Sequence, residues 1–266
     1  MQKKEKKEKK KGRKYVNILG INVISTTKQE VLASVKDFVS HNPPGLNFNS
    51  KFYIVTPNPE LILMSQKNRE LKKALNNADF SVPDGVGLFY ASKFLYGKSL
   101  NIIPGRKLFL DLVNLAHKNK WRVFFLGGLK NEAELAARKL GANFTTGPKL
   151  DKNANPVSEI DKRLEKDAID KINKFAPHLL FVAFVNPKQE IWIYRNLKRL
   201  NIGGAMAVGG SFRYVAGLSK LPPKWMEAAG LEWLWRLITE PRRLGRIFNA
   251  FPVFPLKVLC VKIFRR

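Results

Sequence analysis

The chain has 266 residues, 45% of them hydrophobic, and 48 lysines and arginines against 21 acidic residues give it a net charge of +27. This length and apolar content are enough to bury a full core, so the protein is globular, with one large domain or one domain and an appendage. The single cysteine excludes an internal disulfide and is typical of a reducing cytoplasm, and three scattered histidines do not make a zinc site.

The positive charge is concentrated at the two ends of the sequence. Residues 1–14 contain nine basic and two acidic residues, and residues 236–266 contain eight basic residues and one acidic residue. The first run is almost without apolar residues, so it predicts a disordered tail that contacts nucleic acid or anionic lipid, or that only keeps the protein soluble. Residues 16–25 are too short an apolar run for a secretory signal peptide.

The middle of the chain alternates strand-like apolar runs with helix-like segments. The strand-like runs are 52–56, 80–82, 121–128, 179–185 and 204–212, and the helix-like segments are 61–79, 88–97, 130–141 and 191–200. Apolar strands that alternate with helices predict an α/β domain, in which a mostly parallel sheet carries helices on both faces.

Segment 231–266 is rich in aromatic, aliphatic and arginine residues, and Glu232 and Glu240 are its only acids. A helix starting at Arg242 would have one cationic and one apolar face, which is typical of a segment lying in the headgroup region of an anionic membrane. Packing of the apolar face into the core is the alternative. The run 251–264 is too short, and too interrupted by lysine and proline, to span a bilayer.

The stretch 218–223, LSKLPP, interrupts the α/β pattern and marks a domain boundary. The predicted organisation is therefore a disordered lysine-rich tail at 1–14, an α/β core at 15–217, and a C-terminal amphipathic helical appendage at 218–266 that associates with membranes.

Ligands of open α/β sheets bind beyond the carboxyl ends of the strands, and this rule selects five loops. The loops are Thr56-Pro57-Asn58, Pro83-Asp84-Gly85, Gly127-Gly128, Asn186–Glu190 and Gly209-Gly210-Ser211. Each also has a structural interpretation, because Pro-Asp-Gly is a common turn and the helix dipole favours a glutamate in a first turn. Paired glycines before a helix either leave backbone N–H groups for a diphosphate or only let the chain turn.

The order of these motifs along the chain is more specific than any one of them. The sequence reads T-x-N, PDG-x-G, a strand ending in GG, PKQE-x-W, GG-S-F and EWL-x-RL-x-x-EP-x-R. In this order the motifs resemble those of the WecG/TagA/CpsF glycosyltransferase family, and the resemblance covers residues 16–246.

The resemblance implies a Rossmann-like core and an inverting transfer that needs neither a metal nor a cofactor. It implies a UDP-sugar donor, typically of N-acetylmannosamine or its uronic acid, and an N-acetylglucosamine acceptor on a polyprenyl diphosphate. It also implies cell-surface polymer synthesis, such as that of teichoic acid or a surface polysaccharide, by a cytoplasmic enzyme bound peripherally to the anionic inner face of the membrane.

Site residues are carried over position by position. The resemblance implies that Asp84 is the general base and that Thr56 and Gln189 act beside it. The residues expected to bind substrate are Asn58, Gly127, Gly128, Lys188, Glu190 and Gly210, with Arg236, Arg243 and Arg246 supplied by the appendage.

The sequence departs from the family pattern at several positions. Ile102 or Ile103 stands where the family has an arginine, Arg106 and Lys107 occupy neighbouring polar positions, and Arg213 replaces an acid after GG-S-F. These changes spare the proposed base and the appendage arginines, so they bear on the identity of the donor sugar and of the acceptor, and not on the class of reaction.

Two other functional classes remain open at this point. A net charge of +27 suits a nucleic-acid-binding protein, although it does not explain why Asp, Gln and Gly residues gather at strand ends. A catalytically inactive scaffold on the membrane is the second alternative. No specific nucleic acid is expected as a partner, and a homo-oligomer is possible.

Overall fold

The computed structural model describes residues 13–42, 50–229, 231–239 and 244–264. Its centre is a six-stranded sheet of order β4-β3-β8-β7-β5-β6 in which every neighbouring pair is parallel. The strands are β3 (Phe52–Val55), β4 (Phe80–Ser81), β5 (Val123–Gly127), β6 (Asn143–Thr145), β7 (Leu179–Ala183) and β8 (Gly204–Ala207). A separate antiparallel hairpin is formed by β1 (Tyr15–Ile18) and β2 (Ile21–Ile24). The α/β prediction is confirmed.

Helices cover both faces of this sheet. Those on one face include α2 (Pro59–Lys67), α3 (Arg69–Asn77), α4 (Val86–Tyr96), α7 (Glu159–Phe175) and α8 (Lys188–Asn196). The other face packs against α1 (Lys28–His41), α5 (Gly105–Lys118), α6 (Glu132–Leu140) and α9 (Ser211–Val215). The central strands are therefore buried on both sides, which is why their sequences are apolar without alternation.

Several elements differ from the sequence-based prediction. The single helix predicted at 61–79 is two helices, because the Asn68 side chain accepts hydrogen bonds from Glu70 N and Leu71 N and so begins a second helix. The β1–β2 hairpin, α1, α5, α7 and the short edge strand β6 were not predicted. Arg13, assigned to the disordered tail, donates to Asp79 O at 2.7 Å.

The appendage consists of α10 (Lys224–Ala228), α11 (Glu232–Thr239) and α12 (Leu244–Phe264). The last helix packs against α2 and α4, where Phe254 and Val258 are buried in the core. Its opposite side carries the exposed apolar residues Leu256, Leu259 and Ile263. Within the described part of the chain, no helix has the length and apolar character needed to cross a membrane.

Candidate active site

The loops after β3 and β4 are joined by backbone hydrogen bonds at the carboxyl end of the sheet. Asp84 N donates to Pro57 O at 2.9 Å, so the Pro-Asp-Gly turn lies against the Thr-Pro-Asn turn. A Cβ atom on Gly105 would lie 2.9 Å from Thr56 Oγ1, so the first turn of α5 also contacts this place. The structure thus brings Thr56, Asp84 and the start of α5 together, and both side chains are half-buried.

Local backbone geometry explains the residues that flank Asp84. Gly85 has φ +90°, a conformation that L side chains rarely adopt, and it is the N-cap of α4. Asn58 Oδ1 accepts from Leu61 N at 2.9 Å and so caps α2. Asn58 therefore has a structural task as well as the predicted role in binding substrate.

Gln189 bridges the loops that follow β7 and β8. Its Nε2 donates to Asn186 Oδ1 and to Glu190 Oε1, both at 2.8 Å, and its Oε1 accepts from Gly209 N at 2.9 Å. These three bonds use both amide protons, and the side chain is only 3% exposed. In this arrangement Gln189 fixes the position of the Gly209-Gly210 turn from within, and a direct catalytic role stays a prediction.

Glu190 lies behind this amide and is buried to the same degree. Burial raises the pKa of Glu190 to about 7, with a smaller opposing effect from the hydrogen bond of Gln189, and the nearby Glu60 raises it further. Among the described residues, Glu190 Oε2 has no hydrogen-bond partner. Near neutral pH this carboxyl is therefore partly protonated.

Glu190→Gln is expected to remove a pH dependence from the stability of the fold. The pKa of Glu190 is higher in the folded protein than in the unfolded chain, so on raising the pH the unfolded chain releases this proton first. The stabilising contribution of Glu190 is therefore fully present below about pH 4 and is lost as the pH rises toward 7. From pH 4 to pH 8 this amounts to about 3 kcal/mol of unfolding free energy, which denaturant titrations of both proteins would measure. Glu159→Gln, at an exposed carboxylate, is the control, and equal pH profiles for wild type and Glu190→Gln would contradict the assignment.

The glycine pair after β5 is required by packing. A Cβ on Gly127 would lie 2.8 Å from Ala183 O, so β5 and β7 approach too closely there for any side chain. The expectation that Gly128 leaves its backbone N–H for a diphosphate is wrong, because this N–H donates to Ala183 O at 2.8 Å. Gly210 differs, since its Cβ would meet nothing within 4 Å and the residue is exposed. Of the predicted glycines, Gly210 has the most room beside it for a ligand.

Charged residues tie the remaining loops to their neighbours. Lys188 Nζ donates to Leu150 O, so this predicted ligand of substrate also anchors the loop before α7. Arg213, which replaces an acid of the family pattern, has its Nε 3.8 Å from Glu132 Oε1. Glu132 in turn accepts from Leu129 N at 3.0 Å, so Arg213 supports the turn that follows the glycine pair.

One ion-pair cluster connects the core to the appendage. Arg106 Nη2 and Lys107 Nζ, at the start of α5, lie 2.5 Å and 3.2 Å from Glu227 Oε1 in α10. Burial alone would raise the pKa of Glu227, but the two cations outweigh it and hold the pKa below its usual value. The cluster places α10 against α5, whose first turn contacts Thr56. Arg106 and Lys107 stand out in the sequence as departures from the family pattern, but their partner does not.

Two of the three appendage arginines lie in helices that the structure describes. Arg236 lies in α11 and Arg246 in α12, whereas Arg243 lies outside the described residues. Their predicted contacts with the donor diphosphate stay predictions.

Glu132 and Glu227 were missed by the sequence reasoning. Glu132 is the first residue of α6, and its side chain, only 8% exposed, differs from an ordinary exposed first-turn acid. Glu227 offered no signal, because its partners lie 121 and 120 positions earlier in the chain.

The chain matches known proteins over nearly its whole length. The model of the family described as "Glycosyl transferase WecG/TagA/CpsF family" matches residues 16–266. The chain is also 29% identical over 247 residues to the N-acetylglucosaminyldiphosphoundecaprenol N-acetyl-beta-D-mannosaminyltransferases of Staphylococcus aureus strains NCTC 8325 / PS 47, COL and MSSA476, with 93% of this chain and 93% of each relative covered. These matches favour a hexosyltransferase over a nucleic-acid-binding protein or an inactive scaffold. The chain belongs to the WecG/TagA/CpsF family of glycosyl transferases.

Proposed function

We propose that this enzyme transfers N-acetylmannosamine, or its uronic acid, from a UDP-sugar to N-acetylglucosamine carried on a polyprenyl diphosphate. The proposal rests on the family match and on the printed activity of the Staphylococcus aureus relatives. The observation that supports it is the hydrogen bond from Asp84 N to Pro57 O, which joins the turn that contains Asp84 to the loop that contains Thr56 at the carboxyl edge of the sheet.

In the proposed reaction an acceptor hydroxyl of the N-acetylglucosamine attacks the anomeric carbon of the donor. The new C–O bond forms as the bond to the diphosphate breaks, UDP leaves with the bonding electrons, and Asp84 takes the hydroxyl proton. Attack from the face opposite the leaving group inverts the anomeric carbon. The half-buried Asp84 suits this role, and Gly85, which adopts its positive φ without strain, allows the tight turn that follows.

In this proposal, lysine and arginine side chains stabilise the negative charge that develops on the leaving diphosphate. Arg106 and Lys107 follow Gly105, the residue of α5 that lies against Thr56, and Lys107 is about half exposed despite its contact with Glu227. Arg236, Arg243 and Arg246 of the appendage would add to them, because arginine pairs with phosphate oxygens in a bidentate manner. Such preorganised donors stabilise a departing anion without a metal ion.

Transfer is therefore expected to continue in excess EDTA. The described residues hold no group of three or more His, Cys, Asp and Glu side chains placed to bind a metal, and the sequence has no Asp-x-Asp. UDP release would be measured with and without EDTA, using a Mg²⁺-dependent transferase as the control for chelation. Loss of activity that Mg²⁺ or Mn²⁺ restores would contradict the assignment of leaving-group stabilisation to protein cations.

The enzyme is proposed to act at the cytoplasmic face of the membrane, where a lipid-linked acceptor is found. The support is the exposed apolar side of α12, formed by Leu256, Leu259 and Ile263 and accompanied by Lys257. An apolar surface with adjacent cations binds anionic bilayers through both hydrocarbon burial and charge. A screen of UDP-sugars against a lipid-diphosphate-linked N-acetylglucosamine analogue tests the function, and no transfer from any N-acetylmannosamine-type donor would reject it.

A further inference from the structure

An exposed apolar stripe runs along α4. Val86, Tyr90 and Phe94 are 36%, 66% and 49% exposed, and their spacing of four residues puts them on one face of the helix. The opposite face, which includes Leu88 and Leu95, is buried in the core. The helix is therefore held firmly by one side while the other offers large apolar side chains to the surroundings.

The two ends of this stripe have different neighbours. Val86 follows Asp84 by two residues, so one end lies at the proposed active site. At the other end, Lys262 Nζ of α12 lies 5.9 Å from the centre of the Phe94 ring and donates to Leu95 O at 3.3 Å. Lys93 is also exposed there. The stripe thus extends about 12 Å from the general base to a group of lysines.

We propose that the α4 stripe, formed by Val86, Tyr90 and Phe94, binds the first part of the hydrocarbon chain of the lipid-linked acceptor. This inference rests on the proposed function, which gives the acceptor a polyprenyl chain attached through a diphosphate. When the sugar is at Asp84, the chain must pass from the site to the bilayer. An apolar path shields it from water over that distance, and the lysines mark the end that meets anionic headgroups.

The position of the stripe favours this occupant over the bilayer itself. It begins two residues after Asp84, whereas the exposed side chains of α12 (Leu256, Leu259 and Ile263) lie ten or more residues after Arg246 and are a sufficient surface for the bilayer. The sequence of α4, Val86–Tyr96, also contains no acid, so nothing on it repels the diphosphate that leads the chain.

The test compares acceptors that differ only in their lipid. Full-length wild type and the double variant Tyr90→Ser/Phe94→Ser are assayed with N-acetylglucosamine diphosphate carrying either a long polyprenyl chain in detergent micelles or a short water-soluble chain. The variant should raise KM for the long-chain acceptor at least about tenfold and leave kcat, and both parameters for the short-chain acceptor, within about twofold. The matched control is Ile160→Ser/Leu164→Ser, which removes two exposed apolar side chains from α7.

Several outcomes would overturn the inference. Equal losses with both acceptors would mean that the stripe acts on the reaction or the fold, and a parallel loss of liposome binding would assign it to the bilayer. A dimer that the variant dissociates would assign it to a second copy of the chain. If the wild-type enzyme transfers sugar to both acceptors with equal KM, the stripe does not bind the polyprenyl chain, but the proposed function stands. If the enzyme transfers sugar to neither acceptor, the proposed function itself is rejected.

Discussion

Replacing Asp84 with asparagine is expected to lower the rate of sugar transfer by roughly 10²–10⁴-fold, the usual contribution of a positioned general base. The amide keeps the size of the side chain but cannot accept the acceptor's proton. The backbone bond from residue 84 to Pro57 O does not involve the side chain, so the turn should remain in place. The measurement is single-turnover UDP release with donor and acceptor saturating.

Asp37→Asn, at an exposed position in α1, is the matched control and should retain full activity. Circular dichroism and the midpoint of thermal unfolding would establish that both variants are folded. A folded Asp84→Asn enzyme with turnover near that of wild type would remove Asp84 from the role of general base and leave the reaction without its proposed proton acceptor.

Neutralising the appendage arginines should reduce transfer even when the membrane is irrelevant. In Arg236→Gln/Arg243→Gln/Arg246→Gln, transfer to a water-soluble acceptor analogue is expected to fall by about 10²-fold or more, because leaving-group stabilisation is lost. Point changes are preferable to deletion of residues 218–266. Removing α12 would take Phe254 and Val258 out of the core, so a loss of activity would also report a damaged fold.

The control removes the same charge from a different surface. Arg163→Gln/Lys166→Gln/Lys171→Gln changes three exposed cations of α7 and should leave transfer to the soluble acceptor unchanged. Comparable binding of both triple variants to anionic liposomes would show that the catalytic loss is separate from recruitment. Normal transfer by the appendage variant would make the appendage an anchor only.

The α/β core and the loops at its carboxyl edge could be predicted because both depend on local patterns. Runs such as 179–183 are short and apolar at every position, which is typical of a strand buried on both faces, and Pro83-Asp84-Gly85 breaks the chain where a strand must end. The less regular elements could not be predicted because they lack such local patterns. Strand β6, at 143–145, is short and mostly exposed, so it carries no apolar signal.

The working arrangement of the candidate site could not be predicted, since it depends on contacts between distant parts of the chain. The motif PKQE does not show that the side-chain amide of Gln189 makes all three of its hydrogen bonds to other groups of the protein. One of these bonds joins it to Gly209, in a different loop. Likewise, the partner of Arg213 is Glu132, in a helix 81 positions earlier in the sequence. The order of the motifs was enough to identify the family, whereas the contacts of the individual side chains could be seen only in the folded structure.

The ion pair between Arg106 and Glu227 limits how this enzyme can be recombined with its relatives. Arg106 is only 12% exposed at its side chain, so a chimera that receives a foreign C-terminal segment without an acid at position 227 would bury an unpaired guanidinium. The C-terminal segment that contains Glu227 therefore cannot be exchanged alone. Grafting it between homologues requires that both halves of this charge pair be moved together.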